Sequence, residues 1–161
     1  MPPKPPSSLP EAEIMEIVGM EKFMANDLDW DDRPPDSNYL SDTDSLLDRS
    51  GASIPGVSYE LQVRRGRYKA DCNYVFAVFK MKGGRRHPVY RIDVVPQDKR
   101  KHKGPDGWWY GPHQHFGTRA EKFDPPVTLG CDHEAWFKEF LKRANIQFSG
   151  KYLPPTSTEL F

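Results

Sequence analysis

The chain is poor in cysteine, in net charge and in long apolar runs. Of its 161 residues only Cys72 and Cys131 carry thiols, and neither belongs to a Cys-x-x-Cys pair. Neither a disulfide framework nor a ribbon-type zinc site is therefore indicated, and two buried free thiols are expected. No stretch approaches the roughly 18 uncharged apolar residues of a membrane helix. The start, Met1-Pro2-Pro3-Lys4-Pro5-Pro6, lacks the apolar run of a secretory signal. These absences point away from a membrane and toward the cytoplasm.

The formal charge of zero conceals an asymmetry. Residues 1–56 hold 4 Lys/Arg against 12 Asp/Glu, whereas residues 57–161 hold 19 against 11. An acidic lead is attached to a basic body, and a basic body suits RNA or another polyanion because neutralised phosphates release counterions. The length suits one domain with a single core, and the aromatic residues that would fill it cluster in the second half.

Residues 1–8 are Pro/Ser-rich and read as a disordered N-terminus. Ser8 and Glu11 have the spacing of a capping box, and Ile14, Ile17, Val18 and Met24 fall along one face, which predicts a helix over 9–26 docked on the body. Residues 27–56, with eight Asp up to Pro55 and few apolar residues, read as a mobile acidic linker. The α+β body spans 57–148. Val57, Tyr59, Leu61 and Val63 alternate with polar residues as a half-buried strand, Tyr68 to Met81 forms a second, and Gly83-Gly84 turns into a third at Val89 to Val95. Asp98 to Gly107 is expected as an exposed basic loop, and Trp108 to Phe116 as a fourth strand bent at Gly111-Pro112. Asp132 then caps a helix carrying Trp136, Phe137, Phe140, Leu141 and Ala144. Residues 149–161 are expected to be a loosely held tail.

Residues two apart on a strand share a face, so His113 and His115 project together, as do Arg91 and Asp93 on the preceding strand. With His102 nearby in sequence, these residues make a candidate proton-transferring cluster. One imidazole would take the proton of a 2′-hydroxyl, the other would protonate the leaving oxygen, and Arg91 would neutralise the phosphorane. Arg65, Arg67, Lys99, Arg100, Lys101 and Lys103 supply positive field for RNA, and Trp108 and Trp109 supply rings for unpaired bases. Two other readings use the same residues. In one, His113, His115 and Asp93 or His102 ligate a borderline cation; the metal-free reading ranks above it, and no cofactor is expected. In the other, the histidines lock the bend at Gly111-Pro112 and Arg91 with Asp93 is a structural ion pair.

The order Tyr59-Glu60-Leu61-Gln62-Val63-Arg64-Arg65-Gly66-Arg67, Tyr90-Arg91-Ile92-Asp93-Val94, His102 with Asp106-Gly107, and Gly111-Pro112-His113-Gln114-His115 resembles a family of small bacterial and prophage proteins without an assigned activity. Its pattern is an R-G-R strand, an R-L-D-L strand, an H-x-N-P-D-G loop and a P-H-x-H strand. The closing Phe140-Leu141-Lys142-Arg143-Ala144-Asn145-Ile146 resembles its final helix, and Met20-Glu21-Lys22 its opening. Lys103-Gly104 replaces the N-P of the loop, and Phe116-Gly117-Thr118-Arg119 replaces an aromatic-R-E-G-Y run. A looser similarity, in the P-H-x-H strand and the layout, links the family to TumE-like toxins of toxin–antitoxin modules. The resemblance implies a toxin-like protein whose partners include RNA, a cognate antitoxin or a host protein.

The expected fold is α+β, an antiparallel sheet of about four strands with a C-terminal helix packed on it and an N-terminal helix beside it. The expected function is a metal-independent ribonuclease acting through His113 and His115. The alternative is a non-catalytic accessory or inhibitor protein that binds nucleic acid or a protein through its basic surface.

Overall fold

The computed structural model describes residues 9–32, 39–64, 73–95, 100–104 and 107–155; the side chains of residues 32, 39, 100–104 and 107–110 fall outside that description. Helix α1 (Glu11–Gly19) is shorter than expected and begins at Pro10 with no side-chain cap. It stops because Met20 turns extended and Lys22 leads into β1 (Lys22–Met24). The buried Lys22 ammonium donates to the carbonyls of Ile17, Val18 and Met20, which the end of a helix leaves without amide partners.

The segment expected as an acidic linker is instead built into the sheet. It supplies β2 (Asp31–Asp32), β3 (Tyr39–Leu47) and the start of β4 (Ser53–Arg64). β3 runs antiparallel to β4 from Tyr39↔Arg64 to Ser45↔Ser58, and this ladder, with Leu40 and Leu46 buried, outweighs a composition that resembles a solvated linker. Along β4 the alternation read from the sequence stands: Val57, Tyr59, Leu61 and Val63 are buried.

β5 (Tyr74–Lys82) and β6 (Arg85–Val94) form the two-residue hairpin at Gly83-Gly84, both with the positive φ that such turns require. Pro88 stands inside β6, which begins earlier than the expected Val89. It sits where the β5–β6 register shifts, with Phe79↔Pro88 followed by Val78↔Tyr90, a bulge that tolerates a missing amide donor. β7 (Arg100–Gly104) and β8 (Gly107–Tyr110) pair with each other in a separate two-stranded sheet, so the expected basic loop is a hairpin. The expected single strand over 108–116 is broken at Gly111, which has a φ of 76°, and resumes as β9 (His113–Phe116), followed by β10 (Arg119–Glu121).

Helix α2 (His133–Arg143) is capped as predicted, the Asp132 carboxylate accepting from the Ala135 amide at 3.1 Å. Asn145, at a φ of 56°, ends it in the left-handed conformation, and its side chain donates to the Gly19 carbonyl at the end of α1. The chain then forms β11 (Ile146–Phe148), which pairs parallel with β1. The tail is tied down through residue 155: the Trp30 indole donates to the Leu153 carbonyl and the Lys151 amide to Asp27.

The main sheet therefore runs β10-β9-β6-β5-β4-β3-β1-β11, with β2 added against β3. This corrects the expected four-stranded α+β layout: the sheet is mixed, twice as wide, and accompanied among the described residues by two short helices. Strand pairing between distant segments, not local pattern, accounts for the difference. Trp136, Phe137 and Phe140 of α2 are fully buried, with Phe140 against Phe76 and stacked on Tyr90. Cys131 is exposed and disulfide-bonded, against the expectation of buried free thiols; Cys72 lies outside the described residues.

Candidate functional site

β6 and β9 are adjacent and antiparallel, and their register sets Arg91 opposite His115 and Asp93 opposite His113. Tyr90 and Ile92, one residue off in the pleat, point toward the helical side, where Tyr90 stacks on Phe140 and its hydroxyl donates to Gln114. Arg91, Asp93, His113 and His115 consequently share the other face of the sheet.

Three groups converge on one oxygen. Asp93 Oδ2 lies 3.0 Å from the Arg91 guanidinium and 3.2 Å from Nε2 of both His113 and His115. Arg91 also lies 3.1 Å from His115 Nε2. The two imidazoles meet edge to face at 4.9 Å between centroids. Asp93, His113 and His115 are buried, His113 to 1% exposure, whereas the Arg91 side chain is 36% exposed and forms the solvent edge of the group. Burial pushes the Asp93 carboxyl up, but hydrogen bonds from His113 and His115 and the Arg91 charge overcome this and hold it well below the usual carboxylate range. Asp93 is therefore an anion at working pH. His113 Nδ1 lies 3.4 Å from the Gly111 carbonyl, the contact expected if the ring steadies the bend.

Of the other residues singled out in the sequence, Arg65, Arg67 and Lys99 lie outside the described residues. Arg100, Lys101, His102 and Lys103 stand on β7, with His102 paired to Trp109 and Lys103 to Trp108 on β8. Their backbones form the hairpin, and their side chains fall outside the description.

Two features escaped the sequence reading. One is a cavity of about 390 Å³ bounded by Asp27, Asp29, Asp31, Asp42, Asp44 and Tyr59. Asp42 is buried there, accepting from the Asp29 amide and the Tyr59 hydroxyl. The alternating Asp27, Asp29, Asp31 and Asp42, Asp44 carried the signal, hidden by the assignment of the whole segment to a linker. The other is His133, buried against Trp30, Tyr74 and Phe76, its Nδ1 2.7 Å from the Tyr152 hydroxyl. Burial pushes its pKa down to about 4, with Asp132 opposing.

Comparison with protein families, with curated proteins and with solved structures finds no match. No helix among the described residues is long and apolar enough to cross a membrane.

Proposed function

We propose that the protein acts on RNA through the Arg91–Asp93–His113–His115 cluster, as a toxin-like, metal-independent ribonuclease. The observation that supports this reading is the register of β6 on β9, which sets an arginine, a carboxylate and two imidazoles within hydrogen-bond reach of one another. Arg91, at the solvent edge, meets the scissile phosphate and neutralises the charge of the phosphorane. One imidazole accepts the proton of the attacking 2′-hydroxyl, and the other gives a proton to the departing 5′-oxygen, so that a cyclic phosphate and a free hydroxyl result. Asp93 fixes the orientation of both rings. Positive charge at Lys99, Arg100, Lys101 and Lys103 and the rings of Trp108 and Trp109 recruit the strand.

The test replaces His113 and His115 singly by Ala and measures RNA cleavage, growth inhibition and melting temperature. Loss of cleavage with the fold retained supports the reading. Full cleavage in both variants at an unchanged melting temperature sinks it.

The 1% exposure of His113 favours a second reading, in which the cluster is a structural anchor and the protein binds nucleic acid or a protein partner without cleaving it. Charge reversal at Lys99, Arg100 and Lys101 would then abolish binding and its salt dependence, while the histidine variants would bind normally. An antitoxin or a host protein is the partner suited to this reading. Cytoplasmic work carries a consequence for either one, since the thiol pool there would keep the Cys131 cross-link reduced.

A further inference from the structure

We propose that Asp93, His113 and His115 form a binding site for one divalent cation of the Zn²⁺ or Co²⁺ type, and that the cation displaces the Arg91 guanidinium. The three candidate ligand atoms lie within 4.8 Å of one another, and the carboxylate oxygen is 3.2 Å from each imidazole nitrogen. Metal–ligand bonds of about 2.0–2.1 Å at tetrahedral angles separate ligand atoms by about 3.3–3.4 Å. Two of the three ligand separations therefore already match such an ion, and the third pair, the two imidazole nitrogens, lies within 4.8 Å. The ligands stand on two paired strands rather than on a loop, with Asp93 opposite His113 and His115 two residues further, so the sheet holds the spacing.

Hydrogen-bond chemistry within the cluster points the same way. An ionised carboxylate oxygen offers about two lone-pair directions, yet three groups converge on Asp93 Oδ2. His115 Nε2 faces an acceptor in Asp93 and a donor in Arg91, and one tautomer cannot suit both. A cation in the shared corner accepts the lone pairs of all three ligands and removes the conflict. The Gly111 carbonyl beside His113 Nδ1 is the outer contact that commonly orients an imidazole whose Nε2 binds metal. Two imidazoles with one carboxylate suit a borderline transition ion better than Mg²⁺ or Ca²⁺. Arg91 is the positive charge now seated in that corner, and its partly exposed side chain has a path to water.

This inference shares residues with the RNA reading and does not rest on it. With the cation bound, both Nε2 lone pairs are engaged and neither ring transfers a proton, so loading switches off a metal-independent ribonuclease.

The experiment strips the full-length protein with chelator and titrates it with Co²⁺, following the visible d–d band and the heat of binding. Wild type is expected to take up one equivalent. Binding should weaken in His115→Gln and Asp93→Asn by more than the roughly 10–100-fold that loss of an outer contact costs. Arg91→Ala keeps all three ligands and removes the competing charge, so it should bind about tenfold tighter; this variant carries the test if the ligand variants fail to fold. No uptake by wild type and Arg91→Ala, or uptake unchanged in folded His115→Gln, overturns the site. RNA cleavage is measured in parallel. Uptake without cleavage in either the stripped or the loaded state overturns the RNA reading alone, and cleavage without uptake overturns the cation site alone.

Discussion

The Asp93 cluster and the cavity around Asp42 both hold carboxylates against the same sheet, and they manage charge in opposite ways. Around Asp93 an arginine and two imidazoles surround one carboxylate, and the anion is stabilised despite its burial. Around Asp42 the neighbours are more aspartates, Asp29 and Asp44 among them. Burial and those charges push its carboxyl up, although the Asp29 amide and Tyr59 hydroxyl oppose the shift. The difference teaches that burial alone does not decide whether a carboxylate supports the fold; the sign of what surrounds it does. It also means that the two regions titrate in opposite senses. Asp93, with a depressed pKa, contributes stability above the unfolded value, lost as pH falls through its folded value. Asp42, with a raised pKa, contributes stability at low pH, lost as pH rises through its folded value.

The largest effect should come from breaking the balanced side. Asp93→Ala leaves Arg91 and both imidazoles without their common anion and should cost about 3–5 kcal/mol in chemical denaturation. A cost below about 1 kcal/mol would mean that the cluster's charges are not coupled. Next is a group that must be separated from Asp93 before the acid limb is assigned. His133 is neutral in the fold down to about pH 4, so the unfolded chain binds more protons between there and its ordinary pKa. Stability should fall by roughly 3 kcal/mol as pH drops through that window, and His133→Phe should flatten the slope. The Asp93 contribution then declines below about pH 4; a His133→Phe variant that keeps the wild-type slope between pH 6.5 and 4 would contradict this order.

Gly150 tests the rim of the acidic cavity. A Cβ there would stand 2.2 Å from the Asn26 carbonyl oxygen and 2.9 Å from the Asp27 amide, both backbone atoms. Gly150→Ala should therefore cost roughly 1–3 kcal/mol, read as a lowered denaturation midpoint with unchanged slope. The smallest effect should have the opposite sign. Asp42→Asn relieves the like-charge crowding and keeps an acceptor for Tyr59 or Asp29, so at pH 7 the variant should match or exceed wild type by up to about 1 kcal/mol. Destabilisation as large as that of Asp93→Ala would erase the contrast between the two regions.

Local signals in the sequence carried the parts of the fold that local physics decides. The alternation from Val57 to Val63, the Gly83-Gly84 turn and the Asp132 cap each depend on residues a few positions apart. That Arg91 shares a face with Asp93, and His113 with His115, was legible too, because spacing by two fixes it on any strand. The adjacency of the two strands was not fixed by neighbourhood in sequence, since the β7–β8 hairpin intervenes and, among the described residues, forms its own two-stranded sheet. β3 was illegible because its hold on the sheet comes from the backbone ladder to β4 and from polar contacts such as Thr43 with the Tyr59 carbonyl. The acidic cavity disappeared with it. Burial of the histidines is likewise a property of what covers them, which no spacing rule contains.

The parallel pair of β1 and β11 ties Lys22–Met24 to Ile146–Phe148, so the outer strands of one margin come from opposite ends of the described chain. During synthesis from the N-terminus, β1 can find β3 early but must wait for more than a hundred further residues before its other side is closed. A nascent chain thus carries an open strand margin throughout that interval, a template for pairing with a neighbouring chain. Ribosome-bound chains arrested just short of Ile146 should be the form most prone to self-association, and emergence of three more residues should end that exposure.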